Sequence, residues 1–234
     1  PHRWGTVQEY SLMRISVAVF TLNEIDGMKA IMPRIKKEWY DELIIVDGGS
    51  RDGTIEYAKQ HGYSIYIQRE KGAGAAFTEA IERVTGDIFV PFSPDGNFIP
   101  EKIPELIEKI KEGYEIVTVS RYLEGAKSYD DDLLTAFGNC MFTNLINLLF
   151  RTRFTDTLYG YLAFKTSLVN DLNIDKTSSW GPQLLIKANN KKIEVGEIPG
   201  DEPARIGGVR KMKPLINGLS LLRMIAKELF ARSQ

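Results

Sequence analysis

The sequence contains only one cysteine, Cys140, and no surplus of charge of either sign. A single thiol cannot form a disulfide within the chain, which fits a reducing compartment. Because Cys140 lies in an apolar run beside Met141 and Phe142, we expect a thiol buried in the core and not a nucleophile. A net charge of −1 and a pI near 6.3 create no general attraction for nucleic acid, so no nucleic-acid partner is predicted.

The chain also lacks an uninterrupted apolar stretch of the roughly 18 residues that cross a bilayer. Residues 1–12 do not have the charged-then-apolar order of a signal peptide, and they precede Met13, a natural start that runs into an apolar segment. We interpret them as either a native extension or an artificial remnant. The end at Gln234 fits both a native terminus and a truncation ahead of a membrane anchor.

What is present is enough apolar sequence for one large domain: 43% of the 234 residues are hydrophobic and 26% are charged. Short β-branched runs alternate with helical segments through the first half of the chain, which predicts an α/β fold with a mostly parallel sheet and helices on both faces. The predicted strands are Ile15–Phe20, Leu43–Val46, Ser64–Gln68, Asp87–Val90 and Glu115–Val119. Ligands of such sheets bind beyond the carboxyl ends of the strands, so polar residues there are the candidate site.

Two polar clusters follow the first two predicted strands. Thr21, Asn23 and Glu24 come after the first, and Asp47 begins an Asp-Gly-Gly-Ser sequence after the second. A carboxylate at a strand end can accept hydrogen bonds from a ribose or a base, and glycine lets the backbone approach a ligand. An ordinary turn, followed by a helix cap at Asp52, explains the second cluster equally well.

Two further clusters follow the third and fourth predicted strands. Lys71 and Gly72 open a helix rich in small residues, whose backbone N–H groups could approach an anion or simply pack tightly. Ser93, Asp95 and Asn97 offer a hydroxyl, a carboxylate and an amide, which together can hold a hard divalent ion that also takes diphosphate oxygens and water. A Pro-Asp-Gly turn is the alternative explanation.

The second half of the sequence contains two long amphipathic segments. Leu133–Phe150 is strongly apolar and is followed by Arg151 and Arg153, and Pro214–Arg232 has leucines at helical spacing with basic residues between them. Such helices can lie at a lipid surface, where basic residues attract anionic lipid. Packing in the core is the alternative, and it is the favoured one for Leu133–Phe150.

The ordered set of clusters resembles the family 2 glycosyltransferases with a GT-A fold, especially their dolichol-phosphate-mannose-synthase-like branch. That family has an Asn-Glu after its first strand, a Val-Asp-Asp-Gly-Ser-x-Asp-Gly-Thr block, a Gly-Lys-Gly-x-Ala stretch, a Gly-Asp before a strand and an Asp-x-Asp-type metal motif. The corresponding segments here are Asn23-Glu24, Val46–Thr54, Lys71–Ala76, Gly86-Asp87 and Ser93–Asn97. Further matching segments are Ser120–Tyr122, Asp156–Tyr161, Glu197–Pro199 and Arg205–Lys211.

The resemblance implies an inverting hexosyltransferase that uses Mn²⁺ or Mg²⁺ to move a sugar from a nucleotide donor to a lipid acceptor such as a polyprenyl phosphate. GDP-mannose is the first expectation for the donor, ahead of UDP-glucose and UDP-N-acetylglucosamine. Residues 13–212 would form the GT-A (Rossmann-like) catalytic domain and 213–234 a C-terminal amphipathic helix. The expected location is the cytoplasmic face of a membrane, with the protein bound peripherally or truncated from a membrane-anchored form.

The resemblance also assigns roles to individual residues. Asp95 and Asn97 would bind the metal ion, Arg205 and Lys211 would neutralise the leaving diphosphate, and Asp156 would act as a base, hold the sugar or merely fix its loop. The residues expected around the nucleotide sugar are Thr21, Asn23, Glu24, Asp47, Lys71, Gly72, Ser93, Asp95, Asn97, Arg121, Arg205 and Lys211.

Three positions depart from the family pattern. Gly48 replaces the second Asp of the Asp-Asp-Gly-Ser block, Ser93 replaces the first Asp of the metal motif, and Arg210 replaces the Ser before Lys211. With one carboxylate fewer, we expect the free protein to bind metal weakly. These changes leave open a domain that binds sugar nucleotides without catalysis, and a nucleotidyltransferase is a second alternative. A Rossmann dehydrogenase is disfavoured because no Gly-x-Gly-x-x-Gly follows the first strand.

Overall fold

A computed structural model describes residues 13–175, 179–207 and 214–232. Within them, seven strands form one sheet in the order β3-β2-β1-β4-β6-β5-β7. The strands are β1 (Ile15–Thr21), β2 (Glu42–Asp47), β3 (Ser64–Ile67), β4 (Ile88–Phe92), β5 (Ile116–Ser120), β6 (Leu162–Lys165) and β7 (Val195–Pro199). The predicted α/β fold with a mostly parallel sheet is confirmed.

Helices connect the strands on both faces of the sheet. They are α1 (Ile25–Ile31), α2 (Thr54–Gln60), α3 (Ala73–Ile81), α4 (Lys102–Lys111), α5 (Leu133–Phe150), α6 (Leu168–Asp171), α7 (Trp180–Asn190) and α8 (Pro214–Arg232). The sequence also predicts a helix from about Gly27 to Lys37. Helix α1 ends earlier, at Ile31, because Pro33 lies in a short 3₁₀ turn over Met32–Arg34.

One strand runs against the others. β6 is antiparallel to both β4 and β5, while β1, β2, β3 and β4 are mutually parallel and β5 is parallel to β7. The loop that enters β6 therefore lies at the same edge of the sheet as the loops that leave β1, β2, β3, β4, β5 and β7. Seven loops from distant parts of the sequence converge at that edge.

Side chains that alternate along the strands build a core on each face of the sheet. On β1, Val17 and Val19 pack into one core and Ala18 into the other, and all three are fully buried. The strand β4 continues past its predicted end at Val90 and includes Pro91. The proline is accommodated because the pairing of β4 with β6 stops at Phe89, so the β6 side has no ladder bond to lose there.

Helix α5 has an inverted distribution of polarity in its first three turns. Thr135, Asn139 and Thr143 face inwards and are buried. The outer face is apolar, with Leu133 92% and Phe137 66% exposed. We expected Leu133–Phe150 to pack as a core helix. That expectation is wrong for the outer face of α5, which is exposed.

Two other sequence expectations depend on the same helix. Cys140 is exposed and not in the core as we expected, because it lies on the outer side of α5. The second expectation concerned membrane spans, since the sequence has no uninterrupted apolar stretch long enough to cross a bilayer. Leu133–Phe150 nevertheless has a mean hydropathy of 1.4 with only 28% of its residues buried. By length and composition it could cross a membrane.

Helix α8 packs against α5 and α7. Leu221, Met224 and Ile225 join Ile146 and Phe150 of α5 in a separate buried cluster. A buried polar contact adds to this attachment, since the amide of Gln183 on α7 donates to Glu228 of α8 at 2.7 Å. The C-terminal helix predicted from sequence is therefore present and is attached to α5 and α7.

Candidate functional site

The loops after β1 and β2 are joined through the carboxylate of Asp47, which is fully buried. Its Oδ2 accepts a hydrogen bond from Thr21 Oγ1 at 2.6 Å and another from Ser50 Oγ. Its Oδ1 accepts from the backbone N–H groups of Gly49 and Ser50. Both oxygens are therefore occupied in holding the Asp-Gly-Gly-Ser turn, and Asp47 shapes this part of the site from beneath.

Asn23 and Asp52 complete the connection between these two loops. Asn23 has a positive φ of 53°, and its side-chain oxygen accepts from the backbone N–H of Arg51 at 2.8 Å. Asp52 accepts from Ile25 N on one oxygen and from Thr54 N and Oγ1 on the other. Burial is the largest single effect and raises the pKa of Asp52, but these hydrogen bonds together outweigh it and lower the pKa below its ordinary value.

The loop before α3 is more open. Lys71 and Gly72 are exposed, and Gly72 precedes α3 with a φ of 115°. The loop is fixed from behind by the buried Glu79, which accepts from Arg69 N at 2.6 Å and pairs with Arg83. No hydrogen bond or ion pair from the described residues reaches the Lys71 side chain, so its amino group is available to solvent.

The loop after β4 places Asp95 and Asn97 next to Arg205, which follows β7. Arg205 Nη2 lies 2.8 Å from Asp95 Oδ2 and 3.2 Å from Asn97 Oδ1. Its Nη1 lies 3.6 Å from Glu24 Oε1, so the loop after β1 reaches the same guanidinium. Asp95, Asn97 and Glu24 are all buried, which strengthens their attraction for this cation.

Close backbone contacts hold these loops together. A Cβ at Gly27 on α1 would lie 2.2 Å from the carbonyl oxygen of Pro94, and one at Gly96 would lie 2.7 Å from Ile206. Ile206 N donates to Asp95 O at 2.7 Å. The absence of side chains at the two glycines therefore permits the approach that brings Arg205 to Asp95.

A second arginine, Arg121, lies at the end of β5 and is 4% exposed. Its Nε and Nη2 bind the two oxygens of Asp156 at 2.7 and 3.1 Å in a bidentate pair. Its Nη1 lies 3.2 Å from Asp131 and 3.0 Å from Glu202. Burial alone would lower the pKa of Arg121, but Asp156 and Glu202 outweigh that effect and raise it, so the guanidinium is always charged.

Asp156 has no spare acceptor capacity facing the site. Besides Arg121, the backbone N–H groups of Leu158 and Tyr159 donate to its Oδ1. The carboxylate is 1% exposed. This geometry supports the alternative in which Asp156 fixes its loop, rather than the role of a proton acceptor.

Two buried carboxylates beside Arg121 were not singled out from the sequence. Asp131 accepts from Tyr122 Oη and Asn139 Nδ2, and Glu202 accepts from Ser128 Oγ. Burial raises the pKa of Glu202 despite the opposing effect of Arg121. The only signal for Asp131 was the run of three aspartates at 130–132, and for Glu202 its position shortly after β7.

Glu197 in β7 supports the same loop from below. It accepts from Thr155 N and Oγ1 and from Asp156 N. Burial raises the pKa of Glu197, partly offset by these donors. The glutamate of the Glu-Ile-Pro segment, which matches the family pattern, therefore supports the loop that contains Asp156.

The fold brings most of the predicted residues to one edge in two groups. Thr21, Asn23, Glu24, Asp47, Asp95, Asn97 and Arg205 form one connected group, and Arg121 and Asp156 form the other. Ser93 is half-buried at the end of β4. Lys71 and Gly72 follow β3 at the same edge without a hydrogen bond or ion pair to either group, and Lys211 lies outside the described residues.

Two known proteins are similar in sequence to most of this chain. The Dolichyl-phosphate hexose transferase of Haloferax volcanii is 26% identical over 94% of this chain and 95% of its own length. The Dolichol-phosphate mannosyltransferase of Pyrococcus furiosus is 29% identical over 86% of this chain and 60% of its own length.

A solved structure shares the fold at lower identity. Glucosyl-3-phosphoglycerate synthase from Mycobacterium tuberculosis, in complex with Mn²⁺, uridine diphosphate and glucosyl-3-phosphoglycerate, superimposes with a TM-score of 0.68. The identity is 22%, and the alignment covers 99% of this chain and 86% of that one.

The sheet, with its acidic and basic side chains at the carboxyl edge, defines a glycosyltransferase of the GT-A fold that uses nucleotide sugars. Residues 16–170 match the model of Glycosyl transferase family 2. The chain belongs to that family, and the resemblance seen in the sequence is confirmed.

Proposed function

We propose that this enzyme moves a hexose from a nucleoside diphosphate sugar to a lipid phosphate such as polyprenyl phosphate, with inversion at the anomeric carbon. The observation that carries the proposal is the contact of Arg205 with Asp95 and Asn97 at the carboxyl edge of the sheet. The names of the two archaeal relatives, a dolichyl-phosphate hexose transferase and a dolichol-phosphate mannosyltransferase, support the acceptor class. GDP-mannose is the first donor to test, followed by UDP-glucose and UDP-N-acetylglucosamine.

The donor would lie across the loops that follow β1, β2 and β4. Thr21, Asn23 and Asp47 hold the first two loops in one shape, so the base and ribose meet a preorganised surface. Lys71 and Gly72, at the start of α3, are exposed and can approach an anionic group. Glu24 connects this surface to the position of the diphosphate through Arg205.

A divalent ion fits the donor atoms near Asp95 only if most of its ligands come from elsewhere. The described residues contain no group of three or more His, Cys, Asp or Glu side chains that could hold a metal ion. Asp95 can supply one carboxylate and Asn97 an amide oxygen, and Mg²⁺ is commonly bound by one or two carboxylates together with substrate phosphates and water. Such an ion, Mn²⁺ or Mg²⁺, would stabilise negative charge on the departing diphosphate.

The chain's own cations would act on the same leaving group. Transfer breaks the bond between the anomeric carbon and the diphosphate oxygen, and the nucleoside diphosphate leaves with the electron pair. Arg205 can bind two phosphate oxygens at once because its guanidinium is planar and forked. Lys211 belongs to the same matched segment, and we assign it to the diphosphate as well.

The hydrogen bonds of Asp156 limit which kind of acceptor the enzyme can use. Five N–H groups donate to this carboxylate, so it has no lone pair directed at an incoming hydroxyl. A phosphate monoester needs no base, because its oxygen is already ionised near neutral pH. The acceptor phosphate would form the new bond to the anomeric carbon on the side opposite the leaving diphosphate.

A lipid acceptor must be met at a membrane, and helices α5 and α8 offer the surface for it. Their exposed apolar side chains are Leu133, Leu134, Phe137, Met141 and Leu148 on α5 and Ile216, Leu219, Leu222 and Phe230 on α8. Arg151, Arg153 and Arg223 are exposed on or directly after these helices and can attract anionic lipid. We therefore propose peripheral attachment on the cytoplasmic face of a membrane.

A transfer assay tests the reaction. Labelled GDP-mannose, UDP-glucose and UDP-N-acetylglucosamine are each incubated with polyprenyl phosphate or with the matching polyprenol, in Mn²⁺ or in EDTA. We expect transfer to the phosphate and not to the alcohol, in Mn²⁺ only. Asp95→Ala and Arg205→Ala should each lower the rate about 100-fold or more, while Arg34→Ala, which removes an exposed ion pair with Glu101, should not change it.

The same assay separates the alternatives. Near-normal turnover in both site variants would refute the assignment of Asp95 and Arg205. Transfer to the polyprenol at the same rate would refute the requirement for an ionised acceptor. A donor that binds without being consumed would identify a binding domain that has lost catalysis.

A flotation assay tests the membrane surface. Vesicles that contain anionic lipid should carry the wild-type protein to the top of a density gradient, and Leu134→Ser together with Phe137→Ser should reduce the floated fraction several-fold. Both side chains are exposed, so the change in stability should stay within about 0.5 kcal/mol. Ile67→Ser, at an exposed apolar residue of β3, is the matched control. A wild-type protein that stays wholly in the soluble fraction would contradict the lipid surface.

A further inference from the structure

The guanidinium of Arg205 occupies the acceptor atoms that the proposed function gives to a metal ion. Its Nη2 is shared between Asp95 Oδ2 at 2.8 Å and Asn97 Oδ1 at 3.2 Å. The amide of Asn97 is held in this orientation because its Nδ2 donates to Pro203 O at 2.8 Å. A flip of this amide would turn Oδ1 away from Arg205 and lose the hydrogen bond to Pro203 O.

Asp95 has little capacity for an additional cation while Arg205 is bound. Its Oδ1 accepts from Asn97 N at 3.1 Å, and its Oδ2 is paired with Arg205. A divalent ion at the same carboxylate would also be repelled by the guanidinium at close range in a buried site, where charges are poorly screened. The arginine and the ion are therefore competitors for one position.

The side chain of Arg205 is the most exposed member of its ion pairs with Glu24 and Asp95. It is 20% exposed, against 5% for Glu24 and 11% for Asp95. Its Nε is buried and has no hydrogen-bond partner among the described residues, so one of its donors is unsatisfied in this arrangement. A diphosphate would offer acceptors for both Nε and Nη2.

The backbone around Arg205 is fixed by contacts that do not involve its side chain. Arg205 N donates to Asp130 Oδ1 at 3.2 Å, and Ile206 N donates to Asp95 O at 2.7 Å. Gly207 has a φ of 67°, and a Cβ there would lie 2.7 Å from Asp26 Oδ2. A rotation about the side-chain bonds of Arg205 can therefore move the guanidinium by several ångströms without moving these anchors.

We propose that Arg205 is an internal counterion that occupies the metal site of the nucleotide-free protein. It yields Asp95 to a divalent cation only when a nucleoside diphosphate arrives to accept the guanidinium. This proposal rests on the proposed function for the identity of the ligand. Its consequence is that metal and nucleotide bind together, and that the free protein does not bind Mn²⁺ appreciably.

Manganese binding in the absence of any sugar tests the exchange. The electron paramagnetic resonance signal of free Mn²⁺ is titrated with wild-type protein, Arg205→Ala, Arg205→Lys and the control Arg34→Ala, each alone and with GDP or UDP. We expect weak binding by the wild type and the control until the nucleotide is added. Arg205→Ala should bind Mn²⁺ without nucleotide at least about tenfold more tightly than the wild type, since the competing cation is gone.

Two further variants identify the site and guard against loss of folding. Arg205→Lys keeps a charge but cannot span Asp95 and Asn97, so its Mn²⁺ affinity should fall between the wild type and Arg205→Ala. Arg205→Ala combined with Asp95→Asn should lose the gain. Equal Mn²⁺ affinity of the wild type and both Arg205 variants, or a gain that survives loss of the Asp95 carboxylate, would overturn the proposal.

The outcome is distinguishable from failure of the proposed function. Tighter Mn²⁺ binding by Arg205→Ala without sugar transfer by the wild type would keep the exchange and refute the transfer reaction. Sugar transfer by the wild type with unchanged Mn²⁺ affinity in both Arg205 variants would keep the reaction and refute the exchange.

Discussion

Arg121 and Arg205 lie at the same edge of the sheet, but their surroundings differ in one decisive way. Arg121 is 4% exposed and uses three nitrogens on three carboxylates, of which Asp156 is bound in a bidentate pair. Arg205 is 20% exposed, meets one carboxylate at 2.8 Å and a second only at 3.6 Å, and leaves Nε without a partner among the described residues. Full use of the donors indicates a structural role, and incomplete use indicates a side chain that can change partners.

The largest difference should appear in stability. Arg121→Ala leaves three buried carboxylates without their cation and should cost about 3–5 kcal/mol. Arg205→Ala should cost about 1–2 kcal/mol, because water can reach the partly exposed site. Urea denaturation followed by circular dichroism measures both, with Arg34→Ala at an exposed pair as the control. Equal losses at the two positions would break the comparison.

A smaller effect should appear in the dependence of stability on pH. Glu202 beside Arg121 has a raised pKa, so above its ordinary value of 4.5 the folded state holds its proton more tightly than the unfolded state. The free energy of unfolding should therefore decrease as pH rises from about 4.5 towards neutrality, and Glu202→Gln should make that decrease shallower.

Glu197 has a raised pKa and contributes in the same direction, so Glu202→Gln should reduce the slope without removing it. The lowered pKa values of Asp52 and Asp175 act below the ordinary value of 3.8 and lie outside this range. Urea titrations at several pH values measure the slopes. Identical slopes in the variant and the wild type would show that burial does not raise the pKa of Glu202.

The fold could be predicted from the sequence because the strands are short, buried and separated by helices. The first group of site residues followed from the same rule, since Thr21 and Asp47 end parallel strands and Asp95 lies in the loop after another. The family resemblance added Arg205, which lies far from them in sequence but follows β7 at the same edge.

The role of Asp156 could not be predicted, because it depends on a partner 35 residues away. Whether this carboxylate is a base or an anchor is decided by the number of donors around it, which the sequence does not show. The same holds for Glu202, whose contact with Arg121 spans 81 residues. The outward position of Cys140 was missed because α5 buries threonine and asparagine on its inner face, against the usual rule.

The most direct test of the central claim is calorimetric titration of the wild type and Asp95→Asn with GDP-mannose, UDP-glucose and UDP-N-acetylglucosamine, in Mn²⁺ and in EDTA. The account predicts that one of these donors binds the wild type in Mn²⁺ at least about tenfold more tightly than in EDTA, and that Asp95→Asn removes this difference. A donor that binds both proteins equally well with and without Mn²⁺ would contradict the assignment of Asp95 to a metal ion that binds the diphosphate.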